Sequence, residues 1–82
     1  MFYCYVLKDP KSDFIYIGFS TDLRQRYKCH QEVEHPGWKL VYYEAYLDEA
    51  DARERERMLK HYGASLGHLK ARIWNSLGRT LE

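Results

Sequence analysis

The sequence predicts an α+β fold, a three-stranded antiparallel sheet flanked by helices in the order ββαβαα. Three observations carry that expectation. Residues 2–7 and 14–18 are aromatic and β-branched runs joined by the turn formers Asp9-Pro10-Lys11-Ser12-Asp13, which is how a β-hairpin is written in sequence. A third run of the same composition, residues 38–46, follows Pro36-Gly37. The segments between and after these runs repeat their apolar residues at helical spacing instead. Strands and helices mixed in this way, with a hairpin first, assemble as one sheet covered by helices.

Each element has its own justification. In the first strand, period-two alternation places Tyr3 and Tyr5 on one face and Phe2, Cys4 and Val6 on the other. Ser20 or Thr21 is expected to cap the first helix, with Asp22 in its first turn at the positive end of the dipole. On that helix Leu23, Tyr27 and His30 share a side, and Arg26 lies one turn before His30. Asp48 with Asp51 resembles a capping box, and Leu47 with Ala52 a hydrophobic staple, so a second helix is expected to run to a C-cap near Gly63. A third helix starts near Ser65, with Leu66, Leu69, Ile73 and Leu77 recurring before Gly78.

Size and composition narrow the class. Eighty-two residues, 45% of them hydrophobic, suffice for one small core that hides about 60–65% of the unfolded surface. A single domain over residues 1–82 is expected. No charged-then-apolar leader and no apolar run long enough to span a bilayer is seen, which predicts a soluble cytoplasmic protein without membrane attachment. Cys4 and Cys29 lack the paired spacing of zinc or redox motifs and are expected to be reduced, structural thiols. Cys29, His30 and His35 match no common zinc pattern.

The net charge of +1 hides an asymmetry. Residues 1–51 carry six Lys/Arg against nine Asp/Glu, whereas residues 52–81 carry seven (Arg53, Arg55, Arg57, Lys60, Lys70, Arg72, Arg79) against Glu54 and Glu56. The basic C-terminal half, together with Arg24, Arg26 and Lys28, could follow a phosphate backbone or could be the solvated face of two helices. On the second helix, Ala52, Leu59 and Tyr62 form the expected buried stripe. Glu56 falls at its border and Glu54 nearly opposite, while Arg55 lies near the stripe with a stem long enough to reach outward. A carboxylate at the edge of a core needs a compensating cation, either a metal or a side chain such as Lys60 one turn on. Most of the eight tyrosines are expected to pack, and His30 or Arg26 taken alone would be ordinary polar residues.

Taken jointly, these residues carry a resemblance. Tyr3-Cys4-Tyr5, then Tyr16-Ile17-Gly18 with Arg26 ten residues after Tyr16 and His30 a turn later, then the aromatic strand from Trp38, then Arg55-Glu56 leading to Leu59-Lys60 resemble the GIY-YIG nucleases over nearly the whole chain. The likeness is greatest to small standalone bacterial members related to the N-terminal catalytic domain of the excision-repair nuclease. It implies that Tyr5 and Tyr16 are the motif tyrosines, Gly18 the second motif's glycine, Arg26 the catalytic arginine, His30 the histidine one turn on, and Glu56 the metal-binding glutamate. Asn75 matches the late asparagine. Gly18, Arg24, Lys28 and Asn75 would then face nucleic acid. The chain departs from the pattern at Tyr3-Cys4, which stand where the family has Gly-Ile and add bulk beside the active face.

The implied activity is divalent-metal-dependent DNA endonuclease chemistry, in repair or recombination. Phosphodiester hydrolysis needs a deprotonated water in line with the leaving oxygen and neutralised phosphoryl charge. A tyrosine would assist as base, Arg26 would clamp the phosphate, and Glu56 would hold one Mg²⁺ or Mn²⁺ with waters and substrate completing the shell. A tyrosine base would need Arg26 or protonated His30 to lower its pKa. The alternative is a catalytically silent nucleic-acid-binding or protein-adaptor module of the same fold, and a third reading is a core whose spacing coincides. No base-reading motif is present, so a homodimer through Trp38 and the third-strand tyrosines, or an accessory protein, would help to find the target.

Overall fold

In the computed structural model, which describes residues 1–78, two strands open the chain, β1 (Phe2–Lys8) and β2 (Ile15–Ser20). They are followed by α1 (Leu23–Cys29), which runs straight into a π-helical turn (His30–Glu34), and by β3 (Lys39–Tyr46). Three helices close the described chain, α2 (Glu49–His61), α3 (Gly63–Arg72) and α4 (Trp74–Gly78). The sheet order is β2-β1-β3, with β1 central and antiparallel to both neighbours. The expected α+β class, the three antiparallel strands and the ββαβαα order are all present, the last helix being split in two.

Alternation along β1 decides what each face of the sheet meets. Cys4 and Val6 join Ile17, Leu59 of α2 and Leu69 of α3 in an aliphatic core. Each such side chain, fully buried, contributes about 1.5–3 kcal/mol. Tyr5 points the other way, is as buried as the core residues, and meets His30 from the π turn. β3 pairs Tyr42 with Val6 and Leu40 with Leu7, leaving Val41 as the extra residue of a bulge. The hairpin turn is organised by Asp9, whose carboxylate accepts from the Lys11 amide and the Ser12 hydroxyl. Lys8, buried, donates to the carbonyls of Asp9 and Ser12.

Several boundaries differ from the sequence expectation. Phe14 is exposed and β2 begins one residue later and ends at Ser20. The α1 cap is Asp22, whose carboxylate accepts from the Gln25 amide, while the Ser20 hydroxyl accepts from the Asp22 amide one step upstream. Asp48 caps α2 by accepting from Ala50, but Leu47 is 87% exposed and forms no staple. Tyr62, expected in the buried stripe, is exposed and is the α2 C-cap. Gly63 opens α3, and the one glycine at positive φ among the described residues is Gly37. Gly37 follows Pro36 in a turn closed by Trp38 N–H on the His35 carbonyl, where the third residue of a type II turn calls for glycine.

Candidate active site

Tyr5, Tyr16, Arg26 and His30 converge on one face of the sheet. The Tyr5 hydroxyl lies 2.7 Å from Nε2 of fully buried His30. The Tyr16 ring packs against both His30 and His35, with centroids 4.9 Å and 4.8 Å away. The Arg26 guanidinium lies against the Tyr5 and Tyr16 phenols. Gly18, opposite Tyr5 in the ladder, makes this packing possible. A Cβ there would sit 2.5 Å from the Tyr5 ring and hydroxyl and 2.9 Å from the Tyr16 ring. Gly18 thus serves the tyrosines rather than the surface.

The π-helical turn supplies the second half of the cluster. His35 N–H donates to the His30 carbonyl, 2.8 Å away, and the wider turn brings the two histidines together. Residues five apart on an α-helix point about 140° apart, whereas here Nδ1 of His30 and Nδ1 of His35 are 2.9 Å apart. Such turns recur at functional sites. Glu34, on the same turn, takes Arg26 in a bidentate pair at 2.8 and 3.1 Å.

Burial and charge set the protonation states. Burial pushes Tyr5 up to about 12, and the neighbouring Arg26, which pulls the other way, does not overcome it. Tyr5 therefore does not meet the condition set for a tyrosine base, a pKa lowered by Arg26 or protonated His30. Burial, with Arg26 and His35 adding to it, lowers His30 below the ordinary 6.5, so His30 is neutral at pH 7. A protonated Tyr5 therefore donates to Nε2 of His30, which must then carry its own proton on Nδ1 and donate to His35. Arg26 is raised, first by Tyr5, and Glu34 is held below the usual carboxylate range by Arg26.

The structure does not bring Glu56 into this cluster. α2 covers the opposite, Cys4 face of the sheet, and the Glu56 carboxylate is bound to Lys60 at 2.9 Å. Its field is felt at Cys4, whose thiol is pushed up to about 12 by burial first and then by Glu44 and Glu56. Glu56 is indeed the half-buried carboxylate of the helix and Glu54 the exposed one. Asn75 is exposed on α4, and Lys28 is exposed on α1. All four Lys/Arg residues of α2, Arg53, Arg55, Arg57 and Lys60, hold intrachain acids, which favours a solvated face over a phosphate track. Arg79 lies outside the described residues. Cys4 and Cys29 are both free thiols.

The profile of the GIY-YIG catalytic domain matches residues 1–66. The chain belongs to the GIY-YIG family. No curated protein and no solved structure matches it. GIY-YIG proteins are typically nucleases that act on DNA and depend on a divalent metal, so the donor set matters. His30, Glu34 and His35 offer three ligand atoms within 4.8 Å of one another. Two imidazoles and one carboxylate suit a transition ion, whereas Mg²⁺ wants oxygens. Glu56 offers one carboxylate and fits such a hard ion only with waters and substrate oxygens completing the shell.

Sequence reasoning missed Glu34 and Glu44. Glu34 is eight residues after Arg26, a spacing that an uninterrupted α-helix would not close, and the π turn leaves no mark in composition. Glu44 sits on the core face, where Tyr42 donates at 2.5 Å, Tyr46 donates as well, and the Arg55 Nε–H is shared between both carboxylate oxygens at 3.0 and 3.2 Å. Burial alone would raise its pKa, but these donors lower it. Tyr-x-Glu-x-Tyr along β3 with Arg55 on the next helix was the available signal.

Proposed function

We propose that this GIY-YIG protein is a divalent-metal-dependent DNA endonuclease. The observation that carries the reading is the meeting of Tyr5, Tyr16, Arg26 and neutral His30 on one sheet face. Arg26 exchanges Glu34 for a phosphate and clamps its oxygens with the same fork. Tyr16, half-buried and beside Arg26, is the phenol that a water and a phosphodiester reach, and it orients the attacking water. Tyr5 is too buried and too weakly acidic to be a free base. It donates to His30, and the His30–His35 contact continues the path of a proton toward the surface. The resemblance gives Mg²⁺ or Mn²⁺ to Glu56, but that carboxylate lies on the opposite face of the sheet, bound to Lys60, and an ion there would not reach a phosphate held by Arg26. Beside Arg26, Glu34 and His35 are the residues that would hold an ion, which when bound would neutralise phosphoryl charge and stabilise the leaving alkoxide.

DNA repair or recombination is the setting we propose from the resemblance to the excision-repair nuclease, and the cytoplasm the compartment we propose from the sequence. A cleavage assay at low salt with Mg²⁺ or Mn²⁺ on linear, nicked, single-stranded and branched DNA tests the activity, with Glu56→Ala alongside. On this geometry metal-dependent cutting is expected to survive Glu56→Ala, and its loss in a folded Glu56→Ala protein would return the metal to that residue. The Arg26–Glu34 pair, which fills the phosphate fork with the protein's own carboxylate, favours a silent DNA-binding module as the second reading. Binding without cutting on every substrate would select it.

A further inference from the structure

A hollow of about 490 Å³ opens between α1 and the β1–β3 half of the sheet. Tyr3, Tyr27 and Tyr43 supply its rings, Leu40 its aliphatic wall, and Arg24 a cation. We propose that it binds an unpaired nucleobase beside the scissile phosphate, so that the preferred substrate is DNA with a single-stranded segment. The proposal rests on the nuclease reading above and adds the substrate class to it.

Four observations support this occupant. The size is that of small-molecule sites, roughly 300–1,000 Å³, and admits a nucleotide but not a duplex. Tyr3 and Tyr43 meet edge-on with centroids 6.0 Å apart, and Tyr43, 54% exposed, presents an aromatic surface on which any base can stack. Tyr43 is the ladder partner of Tyr5 and Tyr3 is two residues before it on the same face, so the hollow adjoins the Tyr5 and Arg26 cluster at about one strand spacing, ~4.8 Å. That separation is on the scale of one nucleotide, which would bring a base into the hollow when its phosphate is at Arg26.

Charge points the same way. Arg24 is exposed in the lining and offers its cation to the phosphates of a strand held there. Asp22, the acid of the lining, is committed to capping α1 through the Gln25 amide. Tyr3 also stands where the family's first motif has glycine. The side chain that departs from the motif becomes one wall of the hollow.

The experiment is fluorescence anisotropy of the full chain, in chelator at low salt, with an end-labelled oligodeoxythymidylate of about 12 nucleotides and with a duplex of equal length. A second arm reads 2-aminopurine placed within the single strand. Tighter binding of the single strand and quenching of 2-aminopurine are expected. Tyr3→Ala should weaken single-strand binding by about 5- to 100-fold, the size of one lost stacking contact, while Tyr3→Phe keeps it. A thermal melt confirms that each variant is folded, and Tyr43→Leu gives an independent check should Tyr3→Ala fail to fold.

Equal affinity for duplex and single strand, or Tyr3→Ala and Tyr43→Leu binding as the wild type does, overturns the proposal. Tyr3-dependent single-strand binding with no cutting in Mg²⁺ or Mn²⁺ would leave the hollow assigned and remove the nuclease reading. Rapid cutting of duplex, unaffected by Tyr3→Ala, would keep the nuclease and remove the hollow.

Discussion

The two faces of the sheet bury their residues for different reasons. On the Cys4 and Val6 face, aliphatic side chains from β1, β2, α2 and α3 close on one another, and what holds them is area removed from water. On the Tyr5 face, where Leu7 is buried too, the buried polar groups are a phenol and an imidazole, and each is tolerated because the other hydrogen-bonds to it. The first face can be weakened by degrees. The second depends on partners, so a single lost atom leaves a buried polar group unsatisfied. Function collects on the face whose burial is conditional.

That contrast can be broken at its two poles. Leu59→Ala on the aliphatic face should cost about 2–5 kcal/mol, lowering Tm by roughly 8–40 °C in a domain of this size, with cleavage per folded molecule unchanged. Calorimetry with an assay well below Tm checks both halves. Arg26→Ala on the polar face should do the reverse, slowing cleavage by about 10²–10³-fold while moving stability by under about 1 kcal/mol. An Arg26→Ala protein that cuts normally would end the phosphate-clamp role.

Gly18→Ala tests whether the polar face is held by shape as well. The added methyl must push the Tyr5 ring, at 2.5 Å, or the Tyr16 ring, at 2.9 Å, and overpacking of this kind costs about 1–3 kcal/mol. Denaturant unfolding gives the number, and tyrosine ring shifts in NMR spectra locate the displacement.

The next effect is a pH dependence between about pH 6.5 and 5 that only the polar face should have. Because folding lowers the His30 pKa below 6.5, the unfolded chain takes up that proton first as pH falls. Stability from this group is complete above about pH 6.5 and declines below it. The depressed carboxylates act only lower, beneath their ordinary 4.5 or 3.8. Unfolding free energy should therefore already decline between pH 6.5 and 5, and His30→Gln should flatten that part of the profile. An unchanged slope in His30→Gln would mean that another group titrates there.

Smallest is Glu34→Gln, which releases Arg26 from its carboxylate. Phosphate or DNA binding at low salt should tighten several-fold, and isothermal titration with a short oligonucleotide measures it. Weaker binding would mean that Glu34 positions Arg26 rather than competing for it.

The sequence made the strands and the division of β1 into two faces legible because alternation has a period of two and the runs are rich in aromatic and β-branched residues. Tyr5, Tyr16, Arg26 and His30 became legible as a set through the resemblance to the GIY-YIG nucleases, since each alone would read as an ordinary packed or polar residue. The π turn was not legible, since the same residues write an α-helix equally well, and with it went Glu34 and the inward swing of His35. The break between α3 and α4 at Ile73 was hidden by an apolar period that continues through it. Glu56 was correctly placed at the border of its helix stripe, but periodicity along one helix cannot say which face of the sheet that helix covers. The staple failed because Ala52, its expected apolar partner, is fully buried in the core while Leu47 stays 87% exposed.

The Arg26–Glu34 fork has a consequence for salt. A cation that neutralises a phosphate on single-stranded DNA ordinarily releases condensed counterions and steepens the fall of affinity with salt by about 0.7 per contact. Arg26 is already paired with a carboxylate tethered to its own chain, so the cation that an arriving phosphate gives up is offset by the cation drawn to the freed Glu34. The affinity contributed by this residue should persist at ionic strengths that erase the contributions of Arg24 and Lys28, leaving the cutting site as the last part of the surface to let go of a strand.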